Sequence, residues 1–253
     1  SYAIVLSSLG IEALVFVIHE FRLSRNEGKP RSIDVRAGRW SLDDKTNRIY
    51  DTGAAGFAAE WEDVQDPPDD LRAAVDAYFR PGATVDIGCG SGRDSAWLNA
   101  QGFDVVGIDA SRGLIEEASR RHPNVMFEFD TLPRLESLDS GAYANVLCEA
   151  VIMHMPEVEA LASVRRLAAL LAPGGALYLS WRVTEGVDRR DDQGRLYASF
   201  ETDAVKAALA GHAIELDERI VSASSRKTVH RLVARREVLK FREPRQDLFA
   251  EQC

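Results

Sequence analysis

The sequence predicts an α/β fold: a doubly wound, mostly parallel seven-stranded sheet with an antiparallel edge hairpin, preceded by an N-terminal extension. Three features of the chain predict it. After Pro81-Gly82, short apolar runs alternate with longer helical stretches, the rhythm of βαβ units. The run VDIGCGSG at 85–92 passes from a strand through glycines into a helix. The last two β-rich runs lie close enough in sequence to pair antiparallel at a sheet edge.

The elements follow in order. Residues 2–18 (YAIVLSSLGIEALVFVI) are apolar or small apart from Glu12, with no basic segment before them and no clear cleavage site after them. They are short for a membrane span and carry a carboxylate near the middle, so stable membrane insertion is not expected. A buried helix or hairpin, or a surface for a homodimer or another partner, fits better. Asn26-Glu27-Gly28-Lys29-Pro30 marks a turn in a polar stretch, and the chain divides into an extension of unknown role, 1–45, and a catalytic domain, 46–253.

A helix is expected within 50–61 and another over 71–79, separated by Asp66-Pro67-Pro68-Asp69-Asp70. Strands follow at ATVDI, DVVGI, VMFEF, YANVLC and ALYLSW, with helices at about 94–101, 111–121 and 156–171 between them. Pro156 suits a first helical turn, and Ala172-Pro173-Gly174-Gly175 stops the helix before the next strand. A helix at 201–209 leads into the two β-rich runs, AIELDERIVSA and TVHRLVARRE.

The balance of 31 Lys+Arg against 40 Asp+Glu gives a net charge of −9, and no basic run is long enough to track a phosphate backbone, so nucleic acid is a poor first guess for a partner. Cys89, Cys148 and Cys253 show no CxxC spacing, and the five histidines form no HxH or HExxH pair, so neither a disulfide framework nor a metal site is expected. A reducing cytoplasm fits this usage.

The glycine loop carries the chemistry. A dinucleotide fingerprint is GxGxxG, but the sixth position counted from Gly88 is Arg93, and the pattern here is GxGxG with Asp86 two places before it. A carboxylate there is awkward beside a pyrophosphate and suited to a cationic ligand such as a sulfonium amino acid. Asp109 ends the next strand, where it can accept hydrogen bonds from both ribose hydroxyls. Together they point to an adenosine without phosphates.

Residues 85–111 (VDIGCGSGRDSAWLNAQGFDVVGIDAS) resemble the first two motifs of class I, Rossmann-like S-adenosylmethionine-dependent methyltransferases, and 170–181 (LLAPGGALYLSW) resemble their strand after the catalytic loop. The resemblance covers about residues 50–236. It implies S-adenosyl-L-methionine as cofactor and S-adenosyl-L-homocysteine as product. By the same resemblance, Asp86, Gly88, Cys89, Gly90 and Gly92 line the methionine and ribose, Asp109 holds the ribose, and Ala110 packs near the adenine. Asp130, Thr131 and Leu132 contact the adenine edge, Asp130 being alternatively a helix cap, and Cys148 and Glu149 lie by the methionine portion. Gly92-Arg93-Asp94 is similar to a GRD sequence found in a subgroup acting on small molecules and chalcogens.

Methyl transfer is a displacement on an activated methyl group, for which alignment and a single base suffice. His154, on the loop after the fourth strand, is one candidate base and Glu149 the other; a supporting role in the loop is the competing reading of His154. Tyr50, Phe57 and Trp61 stand where relatives place a lid, and Tyr50, Trp61, Trp181, Arg182 and Tyr197 are candidate acceptor contacts. Arg182 suits an acidic acceptor or a plain surface ion pair, and Asp188-Arg189-Arg190-Asp191-Asp192 reads as a solvated loop. After the fourth strand, Cys148-Glu149-Ala150-Val151 lacks the (D/N)PP(Y/F/W) group of amino-directed nucleic-acid methyltransferases, and there is no Pro-Cys dipeptide, which favours a small-molecule acceptor methylated on oxygen, nitrogen or sulfur. A non-catalytic methyltransferase-like module and an NAD(P)-dependent oxidoreductase are the alternatives.

Overall fold

Period-two alternation in the central strands sorts the core onto two faces of one sheet. The computed structural model describes residues 43–238; the apolar N-terminal run, His19 and Cys253 lie outside the described residues. Strands β1 (Ala83–Ile87), β2 (Asp104–Asp109), β3 (Met126–Phe129), β4 (Tyr143–Cys148), β5 (Leu171–Arg182), β8 (His212–Val221) and β9 (Thr228–Arg236) form a seven-stranded sheet in the order β3-β2-β1-β4-β5-β9-β8. The first five strands are parallel, and β9 runs antiparallel to both β5 and β8, so β8–β9 is the edge hairpin.

Val85, Ile87, Val146, Cys148, Leu177, Leu179 and Trp181 turn to one face, where they meet Val164, Leu167 and Leu170 of α6 (Glu157–Leu170). Leu147, Tyr178 and Val233 turn to the other face, against Leu71 and Val75 of α3 (Asp69–Tyr78) and Leu98 of α4 (Arg93–Ala100). Both faces are covered, as a parallel sheet requires. The remaining helices are α1 (Asp44–Thr52), α2 (Ala54–Ala59), α5 (Arg112–Arg121) and α7 (Thr202–Ala208), with a π-helical turn at Glu60–Val64 and a 3₁₀ turn at Ile152–His154.

Three local expectations are corrected. Helix begins at Asp44 rather than near Tyr50, because the Asp43 carboxylate caps it by accepting from the Thr46 amide at 2.9 Å. Strand β5 begins at Leu171, directly after α6; Leu171 pairs with Tyr143 and Ala176 with Asn145, so Ala172–Gly175 is absorbed as an irregularity in the ladder. The charged run at 188–192 is not a plain solvated loop: Arg189–Arg190 (β6) pairs antiparallel with Leu196–Tyr197 (β7) in a small separate hairpin. Among the described residues no helix is long and apolar enough to cross a membrane, and no cluster of His, Cys, Asp or Glu suits a metal ion.

Candidate active site

Strand order reverses between β1 and β4, and a cavity of about 360 Å³ opens beyond their carboxyl ends, the usual ligand position in such sheets. One end is built from a short piece of sequence. After β1 the chain turns at Gly88 (φ 75°) and Gly90 (φ 57°), a left-handed conformation costly for a residue with a Cβ. A Cβ on Gly88 would stand 2.2 Å from Cγ2 of Val151, and one on Gly90 would stand 2.8 Å from the Trp61 ring. The backbone itself is therefore the floor of this cleft, and Trp61 is its roof.

Asp109 locks the loop. Its carboxylate accepts from the Gly90 amide at 3.0 Å and from the Ser111 amide at 2.8 Å. Burial pushes this carboxyl up against those two stabilising amides. Asp86 is buried and accepts from the Ser95 hydroxyl at 2.6 Å; burial drives it up to about 7. Glu149 accepts from the Ser180 hydroxyl at 2.5 Å and is likewise driven by burial up to about 7. Among the described residues none of the three has an ion-pair partner. Converging carboxyls that lack a counter-charge leave this end poised for a cation and for hydroxyl donors.

The other end is assembled from distant segments. Asp43 forms a two-point pair with the Arg190 guanidinium at 2.8 and 2.9 Å, and Thr46 accepts from the Leu196 amide at 2.8 Å, so α1 is tied to the β6–β7 hairpin. The Leu196 carbonyl lies 2.6 Å from Nδ1 of His154. A carbonyl can only accept, so Nδ1 carries the proton and Nε2 is left as acceptor. The Tyr50 hydroxyl lies 2.9 Å from that Nε2 and 3.3 Å from Arg195, which completes a chain of three side chains. Burial pushes His154 down to about 4 and raises the Tyr50 hydroxyl well above its ordinary value. Tyr50, Phe57 and Trp61 pack in sequence, with ring centroids 5.0 Å apart for the first pair and 5.5 Å for Phe57 and Trp61.

Between the two ends, Ala150 adopts φ 57° and donates its amide to the Ser180 hydroxyl at 3.1 Å. A left-handed alanine costs about 1 kcal/mol or more, and it directs the chain from Glu149 into the turn that carries His154.

Most of the residues read from the sequence meet at this cavity. Asp86, Gly88, Cys89, Gly90, Asp109, Ala110, Asp130, Leu132, Glu149 and His154 line it, as do Tyr50, Trp61, Arg182 and Tyr197. Gly92, Thr131, Cys148 and Trp181 are not on its wall. Gly92 caps α4 and faces Phe127. Cys148 and Trp181 fall on the α6 face of their strands and are buried in the core, where Trp181 stacks on His230 with centroids 4.7 Å apart. Asp130 spends both oxygens on its own loop, accepting from the amides of Thr131 at 2.6 Å and Ser137 at 2.8 Å. Sequence reading missed Arg195 and the β8–β9 turn with Ser222 and Lys227, which also line the cavity. Neither carries a local motif; only the folded topology brings them there.

Residues 84–175 match the Methyltransferase domain family. Over 140 residues the chain is 32% identical to the ubiquinone biosynthesis O-methyltransferase of Xanthomonas axonopodis pv. citri, covering 50% of this chain and 57% of that protein. It is 35% identical over 133 residues to the trans-aconitate 2-methyltransferase of Methylobacterium nodulans, covering 51% of this chain and 49% of the relative. The chain thus spans about half the length of the curated relatives it matches. The 1,6-didemethyltoxoflavin-N1-methyltransferase of Burkholderia thailandensis, solved with bound 1,6-didemethyltoxoflavin and S-adenosylhomocysteine, superposes with a TM-score of 0.56 over 83% of this chain and 100% of its own, at 19% identity, and shares the fold.

Proposed function

We propose that this chain is a class I methyltransferase that binds S-adenosylmethionine and transfers the methyl group to oxygen, nitrogen or sulfur of a small molecule, a reading supported by the matched segment. The observation that carries the proposal is the set of Asp86, Asp109 and Glu149 without counter-charges around a glycine-floored cleft. That set fits the cofactor: a phosphate would be repelled, whereas a sulfonium, an ammonium and a ribose diol each find a carboxylate. When bound, S-adenosylmethionine supplies a methyl group on a positively charged sulfur, already activated for direct displacement.

The chain's own residues supply position and proton transfer. Asp109 keeps lone pairs beyond those its two amides use, enough to accept from two ribose hydroxyls. Trp61 and Tyr50 cover the cleft and exclude water, which strengthens the carboxylate contacts. Tyr50 and His154 both line the cavity and share a hydrogen bond, so a protonated acceptor loses its proton to the Tyr50 oxygen while the Tyr50 proton moves to Nε2. Glu149 is the rival base at the cofactor end. Asp130, Leu132 and Ala110 form the adenine side in this assignment. The relatives' names, one for ubiquinone biosynthesis and one for trans-aconitate, support a small-molecule acceptor.

The division at 45/46 and a partner or homodimer contact through the apolar N-terminal run belong to this proposal on sequence grounds alone. A cytoplasmic setting rests on the cysteine spacing in the sequence, which suits no disulfide framework. Calorimetric titration with S-adenosylmethionine, S-adenosylhomocysteine and NADH tests the central claim. Both adenosyl amino acids are expected to bind and NADH to be silent; binding of NADH alone would sink the proposal.

A further inference from the structure

The cavity wall carries both signs of charge. It holds Asp86, Asp109 and Glu149 as well as Arg182, Arg195 and Lys227, and a further arginine, Arg93, is paired with Asp94. Arg182, at the end of β5, holds its guanidinium 4.8 Å over the Tyr197 ring. Both residues also line a second groove of about 650 Å³, where they are joined by Arg189, Arg190 and Arg219. The Arg182–Tyr197 stack is therefore a partition between the cleft and this groove.

Of the four arginines lining the groove, two have carboxylate partners, Arg190 with Asp43 and Arg219 with Glu185; in the cleft, Arg195 pairs with Asp191 and Arg93 with Asp94. Arg182 and Arg189 have none among the described residues. Arg189 lies directly opposite Tyr197 in the β6–β7 ladder, so the backbone sets it beside the same partition. In a chain with a net charge of −9, carboxylates are plentiful, and two arginines left without one at the mouth of a ligand cavity leave positive charge open to a ligand. Stacking on an aromatic ring holds the guanidinium plane while its N–H edge stays open, the geometry that takes a carboxylate or phosphate by two parallel bonds.

We propose that the methyl acceptor carries an oxyanion, bound by Arg182 and Arg189 across the Tyr197 partition while the atom to be methylated reaches into the cleft. The inference rests on the methyltransferase reading and adds the acceptor's charge class. A carboxylate and a phosphate share the chemistry, and their sources are told apart by the probe.

The experiment is calorimetric titration of the full chain at low salt with citrate and, separately, with inorganic phosphate, each in the presence of saturating S-adenosylhomocysteine. It is run on the wild type, R182Q, R182K, R189Q and the distant control R134Q. At least one anion is expected to bind the wild type, more weakly as salt is added, and to lose about tenfold in affinity or more in R182Q. R182K and R189Q are expected to lose less, and R134Q nothing. Tighter citrate identifies a carboxylate site and tighter phosphate a phosphoryl site. The proposal is overturned if neither anion binds, if R182Q binds as the wild type does, or if S-adenosylhomocysteine affinity falls in step with anion affinity in R182Q, which would give Arg182 to the cofactor's own carboxylate. Failure of S-adenosylhomocysteine to bind the wild type, with citrate still held through Arg182, would sink the methyltransferase reading and leave an anion site.

Discussion

The two ends of the cavity are built in opposite ways. The proposed cofactor end draws Asp86, the glycine loop and Asp109 from one contiguous βαβ stretch, in which neighbours in sequence are neighbours in space. The far end joins Asp43 to Arg190, and Tyr50 to His154 and Arg195, through hydrogen bonds that span 104 to 147 positions of chain. Their electrostatics are opposed too. Burial holds carboxyls up at one end and an imidazole down at the other. A local stretch can be read as a motif, whereas a wall made by topology depends on many separate contacts and can be tuned piece by piece.

The sharpest way to break the local end is Asp109→Ala. It removes the acceptor of the Gly90 and Ser111 amides as well as the proposed ribose contact. S-adenosylhomocysteine affinity by calorimetry is expected to fall roughly 100-fold, about 3 kcal/mol, and thermal stability to fall with it because two amides lose their partner. Unchanged affinity in a folded variant would remove Asp109 from the site.

That contrast also explains what the sequence revealed. The strands, their doubly wound order and the glycine loop were legible because the alternation of short apolar runs with helical stretches and the glycine spacing are local signals. Arg195 was not legible, since its place over Tyr50 and Phe57 follows from how the β6–β7 hairpin meets α1. Trp181 and Cys148 were drawn to the site because they flank it in sequence; a one-residue step along a strand reverses the face, and both belong to the core. Asp130 was read as an adenine-edge acid or a helix cap, and its loop bonds to Ser137 had no signature in the sequence.

The far end is tested by His154→Gln across pH. The folded imidazole titrates at about 4, below its ordinary 6.5, so as pH falls the unfolded chain takes up this proton first. Its contribution is therefore fully present above pH 6.5 and is lost as pH falls towards 4, by roughly 3 kcal/mol at most. Denaturant melts of wild type and variant should converge through that window, with the variant's acid limb shallower. The same variant should lower kcat with little change in S-adenosylhomocysteine affinity if the Tyr50–His154 pair accepts the acceptor's proton. Parallel acid limbs would mean that His154 is not the buried neutral group of this structure.

The smallest effect, and the one that links the two ends, is expected from Asp86→Asn. A folded carboxyl held up at about 7 keeps its proton while the unfolded chain releases its own near 3.8, so Asp86 costs stability as pH rises from about 4 to 7. A cationic ligand reverses that cost by favouring the ionised form. Affinity for S-adenosylmethionine should therefore drop in the wild type by about tenfold per pH unit below 7 for each carboxyl that must ionise. Asn keeps the oxygen that accepts from Ser95 but cannot ionise, so the variant should retain only the slope due to Glu149, together with affinity about tenfold weaker at pH 8. Calorimetry at pH 6, 7 and 8 separates the cases: a slope equal in wild type and variant would place the ligand's positive charge away from Asp86, and the acidic end would then serve the ribose alone.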